Sequence, residues 1–163
     1  MAAVIRPRAE TDLCACVDAV RAARDTNGYP AVWPRDPARW LTSGGGEVRA
    51  WVAAADGAVV GHVAVVPADD STRTSGVASL AMVRLFVTPA AGGRGIGSGL
   101  VATAVDFIRT RASPPVLTVA DSGAAAIRLY ERTGWRRVSQ CRADWREPDG
   151  RQPILYDYVL DPT

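Results

Sequence analysis

The sequence predicts a mixed α/β fold of seven strands and four helices in the order βααβββαβαββ. Three observations carry that prediction. Residues 83–108 pass from an apolar strand through a glycine-rich turn into an amphipathic stretch. Asp56-Gly57 joins two apolar runs, a hairpin signal. Short strand-like runs then alternate with helix-like stretches to the end of the chain.

Val4 to Ala9 reads as the first strand. A helix follows from Thr11, with Leu13, Cys16 or Val17, Val20 and Ala23 along one face. Asn27-Gly28-Tyr29-Pro30 ends it. The proline-broken segment through Trp33, Asp36, Trp40 and Leu41 gives a short second helix, and Thr42 to Gly46 a flexible break. Val48–Ala55 and Ala58–Val66 form the hairpin strands, and the polar stretch Pro67–Gly76 a mobile loop. A strand from about Ala78 to Val87 stops at Pro89, which lacks the N–H that a ladder needs. The next helix repeats Ile96, Leu100, Ala104 and Ile108 on one face. Val116–Ala120 is a buried strand and Ala124–Thr133 a helix ended by Gly134, with Asp121 as its cap. Trp135–Trp145 and Ile154–Leu160 are the last two strands, around Pro148-Asp149-Gly150.

A chain of 163 residues is long enough to bury a core as one domain, 1–163. A formal charge of +2 argues against nucleic acid or an anionic membrane as partner, and no apolar run approaches a membrane span. Every basic residue is Arg, so chemistry that needs a Schiff-base or P-loop lysine is excluded. Cys14, Cys16 and Cys141, with His62 as the sole histidine, make no metal spacing, and no metal is expected. An odd cysteine count and the lack of a signal peptide point to a reducing cytoplasm.

Gly92, Gly93, Arg94, Gly95, Ile96, Gly97 and Ser98 carry the functional signal. A helix start leaves N–H groups unpartnered and carries partial positive charge, and glycines let a phosphate oxygen approach them closely. One candidate ligand is a dinucleotide, with Asp121 on its ribose. Leu100 stands where that fingerprint wants a third glycine, and Thr88-Pro89-Ala90-Ala91 lengthens a turn that should be tight. An NAD(P)-binding oxidoreductase is the weaker reading.

The segment instead resembles motif A of the GNAT N-acetyltransferase superfamily, Gln/Arg-x-x-Gly-x-Gly/Ala, entered from Leu85-Phe86-Val87-Thr88-Pro89. Ala126 to Trp135, with Leu129-Tyr130-Glu131-Arg132-Thr133-Gly134-Trp135 at its end, resembles motif B of that family. The element order from Val4 to Leu160 agrees with the resemblance. It implies a GNAT fold with a mixed, mostly antiparallel sheet. It also implies acetyl-CoA as co-substrate, held by Phe86, Val87 and residues 92–98, with the pantetheine arm received where the strand splays from its neighbour. Two positions depart from the motifs: Gly92 replaces the Gln or Arg, and Gly123 the usual Asn. A GNAT-fold module that binds acyl-CoA without turnover therefore stays open as an alternative.

Acetyl transfer to an amine needs a neutral amine, a stabilised carbonyl oxygen and a proton for the leaving thiolate. The resemblance makes Tyr130 the general acid, since a phenol keeps its proton at neutral pH. No base stands out. The four glutamates, Glu10, Glu47, Glu131 and Glu147, avoid the central strands, and Asp121, Asp144 and Asp157 are weaker candidates. His62 reads as a structural hydrogen-bonder in preference to a proton relay. By resemblance the acceptor pocket draws on Tyr29, Trp33, Asp36 and Trp40, with Trp145 and Tyr156 or Tyr158 opposite. Aromatic walls with one carboxylate suit a small-molecule or peptide amine. A homodimer through the last strands is compatible with the resemblance.

Overall fold

In a computed structural model, residues 2–69, 79–111 and 113–162 are described. Strand β1 (Val4–Pro7) leads through a 3-10 turn into helix α1 (Leu13–Asn27), and α2 is Pro37–Leu41. Strands β2 (Arg49–Ala55), β3 (Ala58–Pro67) and β4 (Leu80–Val87) follow. Helix α3 (Ile96–Thr110), strand β5 (Pro115–Ala120), helix α4 (Ala124–Arg132) and strands β6 (Arg136–Arg142) and β7 (Ile154–Val159) complete the order. All seven strands form one sheet, ordered β1-β2-β3-β4-β5-β7-β6. Every neighbouring pair is antiparallel except β4 and β5.

Strand alternation decides which helix covers which face. Val52 and Phe86 pack with Cys16, Ala19, Val20 and Ala23 of α1 and Leu41 of α2. Their neighbours Trp51, Ala53, Leu85 and Val87 pack the other way, with Ile96, Leu100, Ala104 and Ile108 of α3. Tyr130 of α4, Trp135 and Tyr158 extend that second core. The sheet is thus filled on both faces. Gly61 shows how closely: a Cβ there would sit 2.9 Å from Leu100 Cδ1 and 3.2 Å from the Phe86 carbonyl oxygen.

Several boundaries differ from the sequence reading. β1 stops at Pro7, and Thr11 lies in the 3-10 turn before α1. The stretch Trp135–Trp145 supplies a strand only from Arg136 to Arg142. Beyond it, Ala143 donates its N–H to Pro153 and the chain turns through residues 146–150. Asp121 does not cap α4. Gly123 is the N-cap, and the Asp121 carboxylate instead meets Arg151 at 3.0 Å. Residues 70–76 of the anticipated mobile loop, and Ala78 at the anticipated start of β4, lie outside the described residues.

Candidate active site

The glycine-rich turn sits at the N-terminus of α3. Gly93 and Gly95 hold φ of +76° and +77°, left-handed values that favour glycine, and Gly95 is the helix N-cap. A Cβ at either position would meet nothing within 4 Å, so the outer side of the turn is open. The N–H groups of Gly95, Ile96, Gly97 and Ser98 find no backbone acceptor among the described residues. Together with the helix dipole they form a donor set for an oxyanion. Arg94 is exposed on the same turn, beside a shallow depression formed with Ala2, Ala3, Ile5 and Ile96. Both the room and the donors suit the pyrophosphate of acetyl-CoA.

Next to this turn the sheet parts. Among the described residues β4 and β5 pair through Leu80 opposite Pro115 and Ala81 opposite Val116, and then diverge. On its other edge β4 stays paired with β3 as far as Val87, with a bulge between His62 and Ala64. The bulged residue Arg84 has φ +56°, uncommon for a side chain of this kind. Phe86 is buried and stacks on the His62 ring, with centroids 5.2 Å apart, so any ligand contact it makes is through its backbone. Val87 packs toward α3.

His62 explains how the bulge is held. Its Nδ1 lies 2.9 Å from the Arg84 carbonyl oxygen and its Nε2 lies 3.0 Å from Arg8 Nη1. A carbonyl can only accept and a guanidinium can only donate, so the ring is the neutral Nδ1–H tautomer. Complete burial pushes its pKa down to about 4. With both nitrogens engaged and no exposed surface, His62 is a structural group and not a proton relay. Arg8 also bridges to Glu47, which ties that glutamate to the strand layer.

Tyr130 projects from α4, whose Leu129 lies 3.3 Å from where a Cβ on Gly97 would stand. The motif B helix therefore rests on the first turn of α3. The Tyr130 ring packs against Trp135 and Tyr158, at centroid distances of 6.0 and 6.2 Å. Its hydroxyl has no hydrogen-bond partner among the described residues. Burial, with a smaller contribution from Tyr29, pushes its pKa up, so the phenol holds its proton at neutral pH. Tyr29 belongs to the opposite core with Phe86 and Trp40.

The predicted acceptor residues divide. Tyr29 tilts against Trp40, with centroids 5.9 Å apart, and Trp33 lies beneath the guanidinium groups of Arg21 and Arg24. Asp36 is exposed and accepts the Arg39 N–H at 3.0 Å as the N-cap of α2, so its carboxylate has a local structural task. Trp145 lies on the β6–β7 connection and makes no ring contact with the Tyr29–Trp40 pair among the described residues. Asp157 takes hydrogen bonds from Thr118 (2.6 Å) and Ser139 (2.7 Å), which occupy it within the sheet.

Two motif departures gain a physical setting. A Cβ at Gly123 would stand 3.1 Å from Val119 Cγ2 and 3.2 Å from the Ala120 carbonyl oxygen, so an asparagine does not fit without a shift. Gly92 is exposed, at φ −64°. Sequence reasoning missed Arg84, although a lone arginine inside the apolar run Leu80–Val87 is itself a signal.

No curated protein matches the chain by sequence. The family model described as "Acetyltransferase (GNAT) family" matches residues 18–135. Among solved structures, the ribosomal-protein-S18-alanine N-acetyltransferase of Escherichia coli has a TM-score of 0.73 at 20% identity, over 99% of this chain and 96% of its own. The yncA protein of Salmonella typhimurium, solved with its cofactor acetyl-CoA, has a TM-score of 0.74 at 22% identity, over 100% and 96%. Arabidopsis thaliana NAA60 in complex with acetyl-CoA has a TM-score of 0.71 at 19% identity, over 97% of each chain. The structures share the fold, and the match across residues 18–135 adds the family: this chain belongs to the GNAT acetyltransferases.

Proposed function

We propose that the chain is an N-acetyltransferase that moves the acetyl group of acetyl-CoA to a primary amine of a small molecule or peptide by direct attack. The observation that carries this reading is the parting of β4 from β5 beside an open set of amide donors at the start of α3. Gly93 to Ser98 would hold the pyrophosphate through backbone N–H groups, helped by Arg94, whereas the Gly92 N–H is already given to the Pro89 carbonyl. The strand edge at Phe86 and Val87 would receive the pantetheine arm.

In this reading each residue has one task. Backbone N–H groups near the bulge polarise the thioester carbonyl, where preorganised donors are most effective. Tyr130 offers its proton to the departing sulfur, which its raised pKa keeps available at neutral pH. His62 cannot act as base, because it is buried with both ring nitrogens engaged. In this reading the amine arrives neutral or loses its proton to water.

Thermal unfolding with acetyl-CoA, coenzyme A and NADH tests the reading. A ligand at about 100 times its dissociation constant stabilises by about 2.7 kcal/mol. A rise with the coenzyme A forms, followed by thiol release on adding amines, is the expected result. A response to NADH alone would refute it. Gly92 favours a second reading, a module that binds the coenzyme without turnover. That reading predicts stabilisation with no thiol release from any amine.

A further inference from the structure

We propose that the acceptor amine carries a carboxylate, and that the Arg84 guanidinium is the group that receives it. The inference rests on the acetyltransferase reading and adds the chemical class of the acceptor.

Arg84 is a built feature and not a surface charge. It occupies the bulge of β4 at φ +56°, and its carbonyl is tied to His62. Backbone strain of this kind persists where the surroundings over-determine it, and it gathers at functional sites. The side chain emerges on the α1–α2 face. Its guanidinium lies 4.3 Å over the Trp40 ring, and its Nε donates to the Trp40 carbonyl oxygen at 3.0 Å. The Tyr29 hydroxyl stands beside it. One face and one edge of the guanidinium are therefore fixed. The terminal nitrogens form the planar fork that matches a carboxylate.

Among the described residues the surrounding charges leave that fork without an acidic partner. Glu47 is taken by Arg8, and Asp36 caps α2. Arg21 and Arg24, both over the Trp33 ring, add positive charge to this aromatic cluster. A polyamine or other multiply cationic acceptor would bring positive charge against positive charge here. An amine with a carboxylate would neutralise Arg84 and lay its apolar part on Tyr29 and Trp40. Arg84 sits on the part of β4 that no longer pairs with β5, so an acceptor anchored there lies beside the gap in the sheet.

The test compares each apolar L-amino acid with its carboxamide and its decarboxylated amine, reading thiol release from acetyl-CoA. The acids should exceed both analogues in kcat/KM by about tenfold or more, the effect of a charged hydrogen-bonded pair. Arg84→Asn, whose short side chain tolerates a left-handed backbone, should bring the three classes together. Arg84→Lys should keep part of the preference as a point charge. Coenzyme A should stabilise both variants as it does the parent chain, which shows that fold and cradle are intact. Turnover of amides or amines as fast as acids, a preference unchanged in Arg84→Asn, or no acid turned over while coenzyme A still binds would each overturn the carboxylate assignment and leave coenzyme binding standing. No stabilisation by coenzyme A and no thiol release would overturn the acetyltransferase reading, and this inference with it.

Discussion

His62 Nδ1 donates to the carbonyl oxygen of Arg84 across 2.9 Å, joining a fully buried imidazole to the one bulged residue of β4. Burial of His62, with Nε2 against the Arg8 guanidinium, makes the bulge sensitive to pH. The folded pKa of His62 is about 4, whereas in the unfolded chain it is near 6.5. Between those values the unfolded chain binds a proton that the folded chain refuses. Stability should fall as pH drops below about 6.5 and level off near 4, a loss of about 3 kcal/mol. Urea midpoints from pH 8 to 4 measure it. His62→Gln should be less stable at pH 8 yet flatter across that window. Parallel curves for the two proteins would show that the imidazole does not carry the effect. Asp12 acts lower: Arg6 holds its pKa down to about 2, and its contribution is lost only as pH falls from about 4.

Tyr130→Phe should separate chemistry from folding. The hydroxyl makes no hydrogen bond among the described residues, so its loss should change stability by less than about 1 kcal/mol. Turnover should fall by about a hundredfold or more, with stabilisation by coenzyme A unchanged. Because burial raises this phenol, the alkaline limb of the parent rate should not fall near pH 10 on its account. Unchanged kcat in the variant would remove Tyr130 from the reaction.

Gly95→Ala and Gly150→Ala form a matched pair. Both glycines hold positive φ, +77° and +88°, and neither replacement meets an atom within 4 Å. Each should cost about 1 kcal/mol of stability through the backbone alone. Only Gly95→Ala should weaken binding of coenzyme A, read by titration calorimetry. Equal affinity in the two variants would argue that the turn does not hold the coenzyme.

Thiol labelling of the native protein should modify two cysteines. Cys14 and Cys141 are exposed, whereas Cys16 is buried against the sheet and its thiol is pushed up to about 11. The third should react only on unfolding. Rapid labelling of Cys16 would mean that α1 opens readily from the sheet.

The order of elements and the glycine turn were legible because they depend on local chemistry. Proline stops, the Asp56-Gly57 turn and the apolar periodicity from Ile96 to Ile108 act within a few residues. What stayed hidden depends on pairing at long range. Arg84 acquires its bulge only when β3 and β4 pair with a shift, and Arg8 reaches His62 across 54 positions of sequence. Asp121 looked like a cap because it precedes a helix. Arg151, brought alongside by the β6–β7 connection, competes for it successfully. Asp36, suggested as a pocket carboxylate, shows the reverse, since a nearby backbone N–H claims it.

The meeting of Leu80–Ala81 with Pro115–Val116 makes the sheet a clothes peg. Its spring lies at one end, and its jaws, the four-strand half ending in β4 and the three-strand half beginning with β5, stand apart at the other. A guest entering the jaws displaces no ladder hydrogen bonds between them. It also touches both halves at once, so a wedge that fits should stiffen the sheet at the end where its two halves share no ladder.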